Sequence, residues 1–327
     1  GRPSTYSHTL MDTRRIGSLT VSTVGLGCNN FGWHIDEATS REVVHAALDA
    51  GITHFDTAEL YGEGESERFL GRTLGARRDD IVLATKFGYR GGNAPAGQAA
   101  PEAVRVACEA SLERLGTDRI DLYYLHRPDP ETPIADTLGA LSRLVEEGKV
   151  REVACSGFDA DQLREAEQAA SGGVRFAAVQ NEYSLMHRTP ERADDGFEGG
   201  GTLEASRETD IAFVPYFPLK SGLLTGKYRK GDAPPEGSRL SGEGFFASKN
   251  ALLTEGNLDL VERLISWADA RGHTLLDLAF AYLLAHRPVV SVIAGATKPH
   301  QIHGNVAAAS WALTDEDLRE VDAILTA

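Results

Sequence analysis

The chain has 327 residues, 42% of them hydrophobic and 25% charged, enough to bury a sizeable core as one large domain or two small ones. A formal net charge of −15 excludes a nucleic-acid backbone or an anionic membrane surface as a general partner, although a local group of Lys and Arg can still hold an anionic ligand. The three cysteines, Cys28, Cys108 and Cys155, are widely separated and form neither a metal-ligand spacing nor a disulfide framework, which fits a reducing cytoplasm and predicts no bound metal.

The first residues, "GRPSTYSHTLMD", lack the charged-then-apolar pattern of a signal segment. Met11 precedes a plausible beginning, so residues 1–10 read as a leftover tail ahead of a domain spanning 11–327. No run approaches the roughly 18–20 apolar residues of a membrane span. A β-hairpin-like segment comes first, and "STVGLGC" (22–28) follows as a short apolar strand. In "EATSREVVHAALDAG", Val43, Val44, Ala47 and Leu48 recur at helical spacing. Strand "THFDTA" precedes a helix through "SERFLGRTLG", closed by Gly. Strand "IVLATK" precedes helix "PEAVRVACEASLERLG", which carries Pro101 near its first turn. The pairs "IDLYYLH" with "IADTLGALSRLVEEGK", "REVACSGF" with "DADQLREAEQAA", and "FAAVQNEY" with "TLEASRETD" repeat the pattern. Strand "IAFVPYFP" leads through a long irregular segment to helices around "LDLVERLISWADARG" and "LLDLAFAYLLAH". Strand "VVSVIAG" precedes helix "PHQIHGNVAAA", and "TDEDLREVDAIL" is a last helix opened by a Thr cap.

Eight strand–helix units in a chain of this length predict a single-domain (β/α)8 TIM barrel with a short N-terminal hairpin and extra helices. A doubly wound sheet is the competing layout, and it requires a Gly fingerprint for phosphate after the first strand. Gly25 and Gly27 begin one, but Asn30 breaks it, and the pair reads instead as a tight turn at the strand end. Two segments are long for a barrel: 189–202, polar and Gly-rich, and 227–250, which mixes Gly and Pro with the apolar pair Phe245 and Phe246. The second is expected to be a lid over the barrel mouth, with Lys227 and Lys230 adding positive charge.

In a barrel, "HFDTAELYGEGESE" places Asp56 at the end of the second strand and Tyr61 in the loop beyond it. Lys86 ends the third strand and His126 the fourth, so all four groups face one rim. Each alone has an ordinary reading: a packing Tyr, a turn-capping Asp, a solvated Lys, a loop His. Equivalent places on successive strands point to a shared device. An ammonium beside a phenol favours the phenolate, an Asp holds the ammonium, and an imidazole orients a carbonyl oxygen. The set protonates an alkoxide as it forms. It contains no source of electrons, which a hydride cofactor would supply.

These residues and their order resemble the aldo-keto reductase superfamily. The resemblance rests on "FDTAELYG", "LATK", "DLYYLHRPD", "VQNEYSL", "VPYFPLKSGLLTGKY" and "IAGATKPHQIHGN", and it covers nearly all of 14–325. It implies Tyr61 as general acid in reduction and base in oxidation, tuned by Lys86 and Asp56, with His126 orienting the carbonyl. It also implies a nicotinamide cofactor extended across the barrel mouth. Gly27, Cys28 and Asp56 would border it, Ser156 and Gln180 would lie near the carboxamide, and Tyr216 would stack on the ring. Phe217, Pro218, Leu219, Gly222, Leu223 and Lys227 would follow the pyrophosphate, and Gly295, Lys298, Gln301 and Asn305 the adenosine. The sequence departs from the family pattern in three places. Gly157 follows Ser156 where Asn is usual, Gly304 replaces an acidic residue, and Gln301 replaces a frequent Arg. Lys298 at a helix start favours the 2′-phosphate of NADP, with NAD as the alternative. Trp33, Tyr89 and Arg127 are candidate substrate contacts, with Phe217 as a further wall.

The activity implied is NADPH-dependent reduction of an aldehyde or ketone by a cytoplasmic oxidoreductase acting on a small molecule. A sugar or polyol dehydrogenase working in the oxidative direction uses the same site. A cofactor-binding regulatory subunit, as in the potassium-channel β-subunit branch, is the non-enzymatic alternative. The substrate and the oligomeric state are not encoded legibly.

Overall fold

A computed structural model describes residues 11–89, 97–170, 172–192, 198–241 and 249–326. Phe245 and Phe246, and the centre of the Gly-rich segment, lie outside them.

The strands β1 (Thr13–Ile16) and β2 (Leu19–Ser22) form an antiparallel hairpin. Eight parallel strands follow: β3 (Val24–Gly27), β4 (His54–Asp56), β5 (Val82–Phe87), β6 (Ile120–Leu125), β7 (Val150–Ser156), β8 (Ala178–Glu182), β9 (Ala212–Tyr216) and β10 (Val292–Gly295). Their order is β10-β3-β4-β5-β6-β7-β8-β9. The remaining seam is joined just before β10, where Phe213 N–H donates to Pro288 O at 2.6 Å and Val290 N–H to Phe213 O at 3.0 Å. The fold is therefore a (β/α)8 barrel, entered through a hairpin.

Helices α1 (Glu37–Asp49), α2 (Glu65–Leu74), α3 (Pro101–Leu115), α4 (Ile134–Glu146), α5 (Ala160–Ala169), α6 (Thr202–Thr209), α7 (Lys249–Leu252), α8 (Glu255–Asp269), α9 (Leu275–Ala285), α10 (Pro299–Ala308) and α11 (Asp315–Thr326) surround it. Local chemistry sets several starts. The Asp36 carboxylate accepts from Thr39 N–H at 2.9 Å, and Asp159 and Gln162 cap each other reciprocally. Thr314 and Asp317 do the same for α11.

Side chains alternate along each strand, so two cores form. Outward residues such as Phe55, Leu83, Tyr123, Val153, Val179 and Phe213 pack under the helices. Inward residues Val82, Ala84, Leu122, Tyr124, Ala154, Ala178, Val214 and Ile293 fill the barrel, and Ile16, Leu19 and Val21 of the hairpin close its floor. The same alternation carries Asp56, Lys86, Ser156, Gln180 and Tyr216 to the opposite, C-terminal end. In register there, Gly27 faces Asp56, Ser156 faces Gln180, Glu182 faces Tyr216 and Gly295 faces Gly27.

Gly25 and Gly27 do not form the turn expected from sequence. Both lie inside β3. A Cβ on Gly25 would meet Ile293 Cδ1 at 2.3 Å, and one on Gly27 would meet Ile293 Cγ2 at 3.0 Å. Bare backbone is needed there because a neighbouring strand's side chain already occupies the space.

Candidate active site

Asp56 closes β4, and Tyr61 opens the short helical turn Tyr61–Gly64 directly after it. That turn needs left-handed backbone: Gly62 has φ 57°, and a Cβ on it would meet Phe31 O at 2.7 Å. Lys86 lies near the end of β5, and His126 follows β6, where its N–H donates to Phe87 O at 2.7 Å. The barrel thus gathers all four side chains at one rim.

Lys86 is buried, and its Nζ donates to Asp56 Oδ2 at 2.5 Å and to the Thr57 carbonyl at 2.9 Å. The Tyr61 phenol is a further hydrogen-bonding neighbour, and the ammonium lies 5.1 Å from the Tyr61 ring centre and 5.6 Å from that of Tyr124. The second oxygen of Asp56 accepts from Gln180 Nε2 at 2.9 Å. Both carboxylate oxygens are therefore satisfied, and the ion pair is held between two aromatic rings. Burial opposes the Lys86 charge, but Asp56 and Tyr61 outweigh it and raise the lysine above its ordinary value.

The phenol behaves differently from the simple expectation. Burial raises the Tyr61 pKa, and the opposing pull of Lys86 does not cancel it. Tyr61 keeps its proton at neutral pH in this state of the protein. The His126 imidazole is driven well below its usual range, first by burial and then by the positive charges of Lys86 and Arg127. It is neutral, and its Nδ1 is buried without a hydrogen-bond partner among the described residues. Tyr61 and His126 meet edge to face with ring centres 6.1 Å apart, and Tyr89 lies 5.1 Å from the His126 ring. A neutral imidazole and a protonated phenol converge on one small space, as two hydrogen-bond donors to a single oxygen would.

Around this centre the other expected residues fall unevenly. Ser156 and Gln180 are buried at the mouth, with Gln180 engaged by Asp56. Tyr216 is half-buried, with Phe217 5.3 Å away in a T-shaped contact. The following turn is strained: Phe217, Lys220 and Ser221 have φ of 52°, 45° and 57°. Pro218 is buried, Leu219 is half-buried, and the Leu223 side chain is wholly in the core, so only its backbone can face a ligand. Gly222 leaves room for Lys227, whose Nζ would lie 3.2 Å from an added Cβ. Cys28 is likewise buried, its N–H donating to Asp56 O at 2.8 Å. At the far end Gly295 and Lys298 are exposed, while Asn305 is buried on α10. Gln301 turns its carbonyl back to Thr297 N–H at 2.8 Å and Lys298 N–H at 3.2 Å, shaping the start of that helix. Trp33 is 47% exposed against His34. Lys230 is exposed, and its ammonium pairs with Asp259 and Glu255 of α8.

Several neighbours were not anticipated. Tyr124 supports Lys86 from below, and period-two counting back from His126 would have found it. Arg239 spans from the long segment to Asn30, donating to its Oδ1 at 2.7 Å, and Leu240 N–H donates to the Tyr228 hydroxyl at 3.1 Å. No sequence pattern marks either contact. Among the described residues no group of His, Cys, Asp and Glu is arranged to hold a metal, and no helix is long and apolar enough to cross a membrane.

Comparison with known proteins agrees with the barrel fold. A family model described as the aldo/keto reductase family matches residues 23–326. "Aldo-keto reductase yakc [NADP(+)]" of Schizosaccharomyces pombe is 37% identical over 94% of this chain and 90% of its own length. "Aldo-keto reductase str7" of Strobilurus tenacellus is 37% identical over 95% and 91%. "L-glyceraldehyde 3-phosphate reductase" of Escherichia coli O157:H7 is 32% identical over 93% and 89%.

Proposed function

The chain belongs to the aldo/keto reductase family and is an oxidoreductase, and from that premise we propose that it reduces an aldehyde or ketone to an alcohol with NADPH. The observation that carries this reading is the convergence of Tyr61 and His126 above the Lys86–Asp56 pair.

Support for a dinucleotide comes from surfaces along the mouth. The half-buried aromatic ring of Tyr216, at the end of β9, suits a flat heterocycle. The left-handed run 220–222, with Lys227 laid against it, suits a pyrophosphate. Lys298, exposed at the start of α10, suits a 2′-phosphate. The cationic name carried by the fission-yeast relative, NADP(+), points the same way. When bound, the nicotinamide supplies the hydride that the side chains cannot.

The chain's own residues then do four things. His126, neutral, donates from a ring nitrogen to the carbonyl oxygen and fixes its direction. Tyr61 donates to the same oxygen and gives up its proton as negative charge develops there. Lys86 stabilises the phenolate left behind, so a phenol that holds its proton in the free protein becomes an adequate acid only as the alkoxide forms. Asp56 and the Thr57 carbonyl hold that ammonium in place, and Gln180 fixes Asp56. In alcohol oxidation the proton moves back to Tyr61.

A panel of aldehydes, ketones, sugars and polyols assayed with both cofactors tests the reading. Turnover of carbonyls with NADPH supports it. Cofactor binding with no turnover of any substrate would instead favour a sensing role.

A further inference from the structure

Arg127 follows His126 directly and lies at the mouth of the barrel. A Cβ on Gly157 would meet Arg127 Nη1 at 2.7 Å and Cδ at 3.1 Å. Gly157 also has a φ of 73°, so a side chain there would be strained as well as crowded. The bare end of β7 is therefore the seat of the guanidinium, which pairs with Glu198 and reaches the Tyr216 hydroxyl.

The two partners of this ion pair are not equally held. The Glu198 side chain is 53% exposed, and that of Arg127 28%. Water competes for Glu198, and an ion pair so open to solvent contributes little. Arg127 is set by the backbone of β7 and by Tyr216, and its planar fork matches a carboxylate or phosphate in two parallel hydrogen bonds. The positive charges acting on His126 are those of Lys86 and Arg127. Lys86 is buried and committed to Asp56, whereas Arg127 has a partner that can be exchanged.

We propose that Arg127 is the recognition site for an anionic group on the substrate, whose carboxylate or phosphate takes the place of Glu198 when the carbonyl is bound at His126 and Tyr61. The inference rests on the carbonyl-reducing reading of that site. It narrows the substrate class to short aldehydes or ketones that carry a carboxylate or phosphate a few bonds from the carbonyl carbon.

The test compares matched substrates with NADPH: succinic semialdehyde against butanal, and glyceraldehyde 3-phosphate against glyceraldehyde. The two pairs separate carboxylate from phosphate. The wild-type protein should favour the charged member of at least one pair by roughly tenfold or more in kcat/KM, the size of one charge-assisted hydrogen bond. Arg127→Met should bring that ratio near one, and Arg127→Lys, which keeps the charge without the fork, should leave it in between. Glu198→Gln removes the competing carboxylate and should lower KM for the charged member with no matching change for the neutral one. A wild-type ratio near one in both pairs, or an equal fall for charged and neutral members in Arg127→Met, overturns the inference while leaving carbonyl reduction standing. Failure of the wild type to reduce any carbonyl with either nicotinamide overturns the reading beneath it as well.

Discussion

The ammonium of Lys86 lies 2.5 Å from Asp56 Oδ2 in a site where both side chains are almost fully buried. A buried pair is costly to break from one side, because the remaining charge is left without water or partner. Lys86→Met should therefore remove two things at once. It should cost about 3–5 kcal/mol of stability, and it should slow carbonyl reduction by withdrawing the charge that stabilises the phenolate. Asp56→Asn in the same chain should recover part of the stability and none of the activity. Urea unfolding and steady-state kinetics on the single and double variants check this; stability that falls further in the double variant would contradict it.

His54, beneath Asp56, makes stability depend on pH. It is fully buried, among the described residues it is bonded only through Nδ1 to Ser291 Oγ at 2.9 Å, and burial lowers its pKa to about 4. In the unfolded chain the same imidazole titrates near its ordinary 6.5. Between those values the unfolded state holds a proton that the folded state refuses, so stability falls as pH drops from about 6.5 to about 4. The contribution is about 3 kcal/mol over that window. Unfolding midpoints across pH 4–7 should decline less steeply for His54→Asn than for the wild type. Parallel curves would remove His54 from the account.

Because burial raises the Tyr61 pKa and drives His126 well below its usual range, both groups keep one protonation state through neutral pH. The pH profile of kcat/KM for reduction should be flat from about 6 to 9 and fall only as the phenol ionises above that. A step near pH 6.5 that disappears in His126→Gln would show that the imidazole titrates in the working range.

Lys298 is exposed at the N-cap position of α10, next to the helix end whose free amides favour an anion. Lys298→Ala should weaken NADPH binding by roughly tenfold or more while changing NADH binding little, since only the former carries the 2′-phosphate. Titration of protein fluorescence with each cofactor checks this, and equal losses would contradict it.

The fold was legible because period-two strands and capped helices alternate along the whole chain, and residues at strand ends then share a rim by topology. Asp56, Lys86 and His126 follow from that rule alone. What was hidden depends on contacts between distant elements. Whether Gly25 turns or packs is decided by Ile293, some 270 residues away, and no local pattern carries it. The sign of the Tyr61 shift is a balance of burial against one ammonium, which spacing cannot weigh. Arg239 meeting Asn30, and Arg127 settling on Gly157, depend on loop paths for which sequence offers no periodicity. The pairing of Lys230 with Glu255 and Asp259 of α8 is a further contact between separate elements that no spacing marks.

The most direct test of the account is Tyr61→Phe, which removes one hydroxyl and keeps the ring that packs against Lys86 and His126. Fluorescence titration should show NADPH binding close to that of the wild type. Single-turnover reduction of a carbonyl substrate should slow by about two to four orders of magnitude, the contribution expected of a positioned general acid. A variant that binds NADPH and reduces the carbonyl at the wild-type rate would contradict the account at its centre, because the proton would then come from elsewhere.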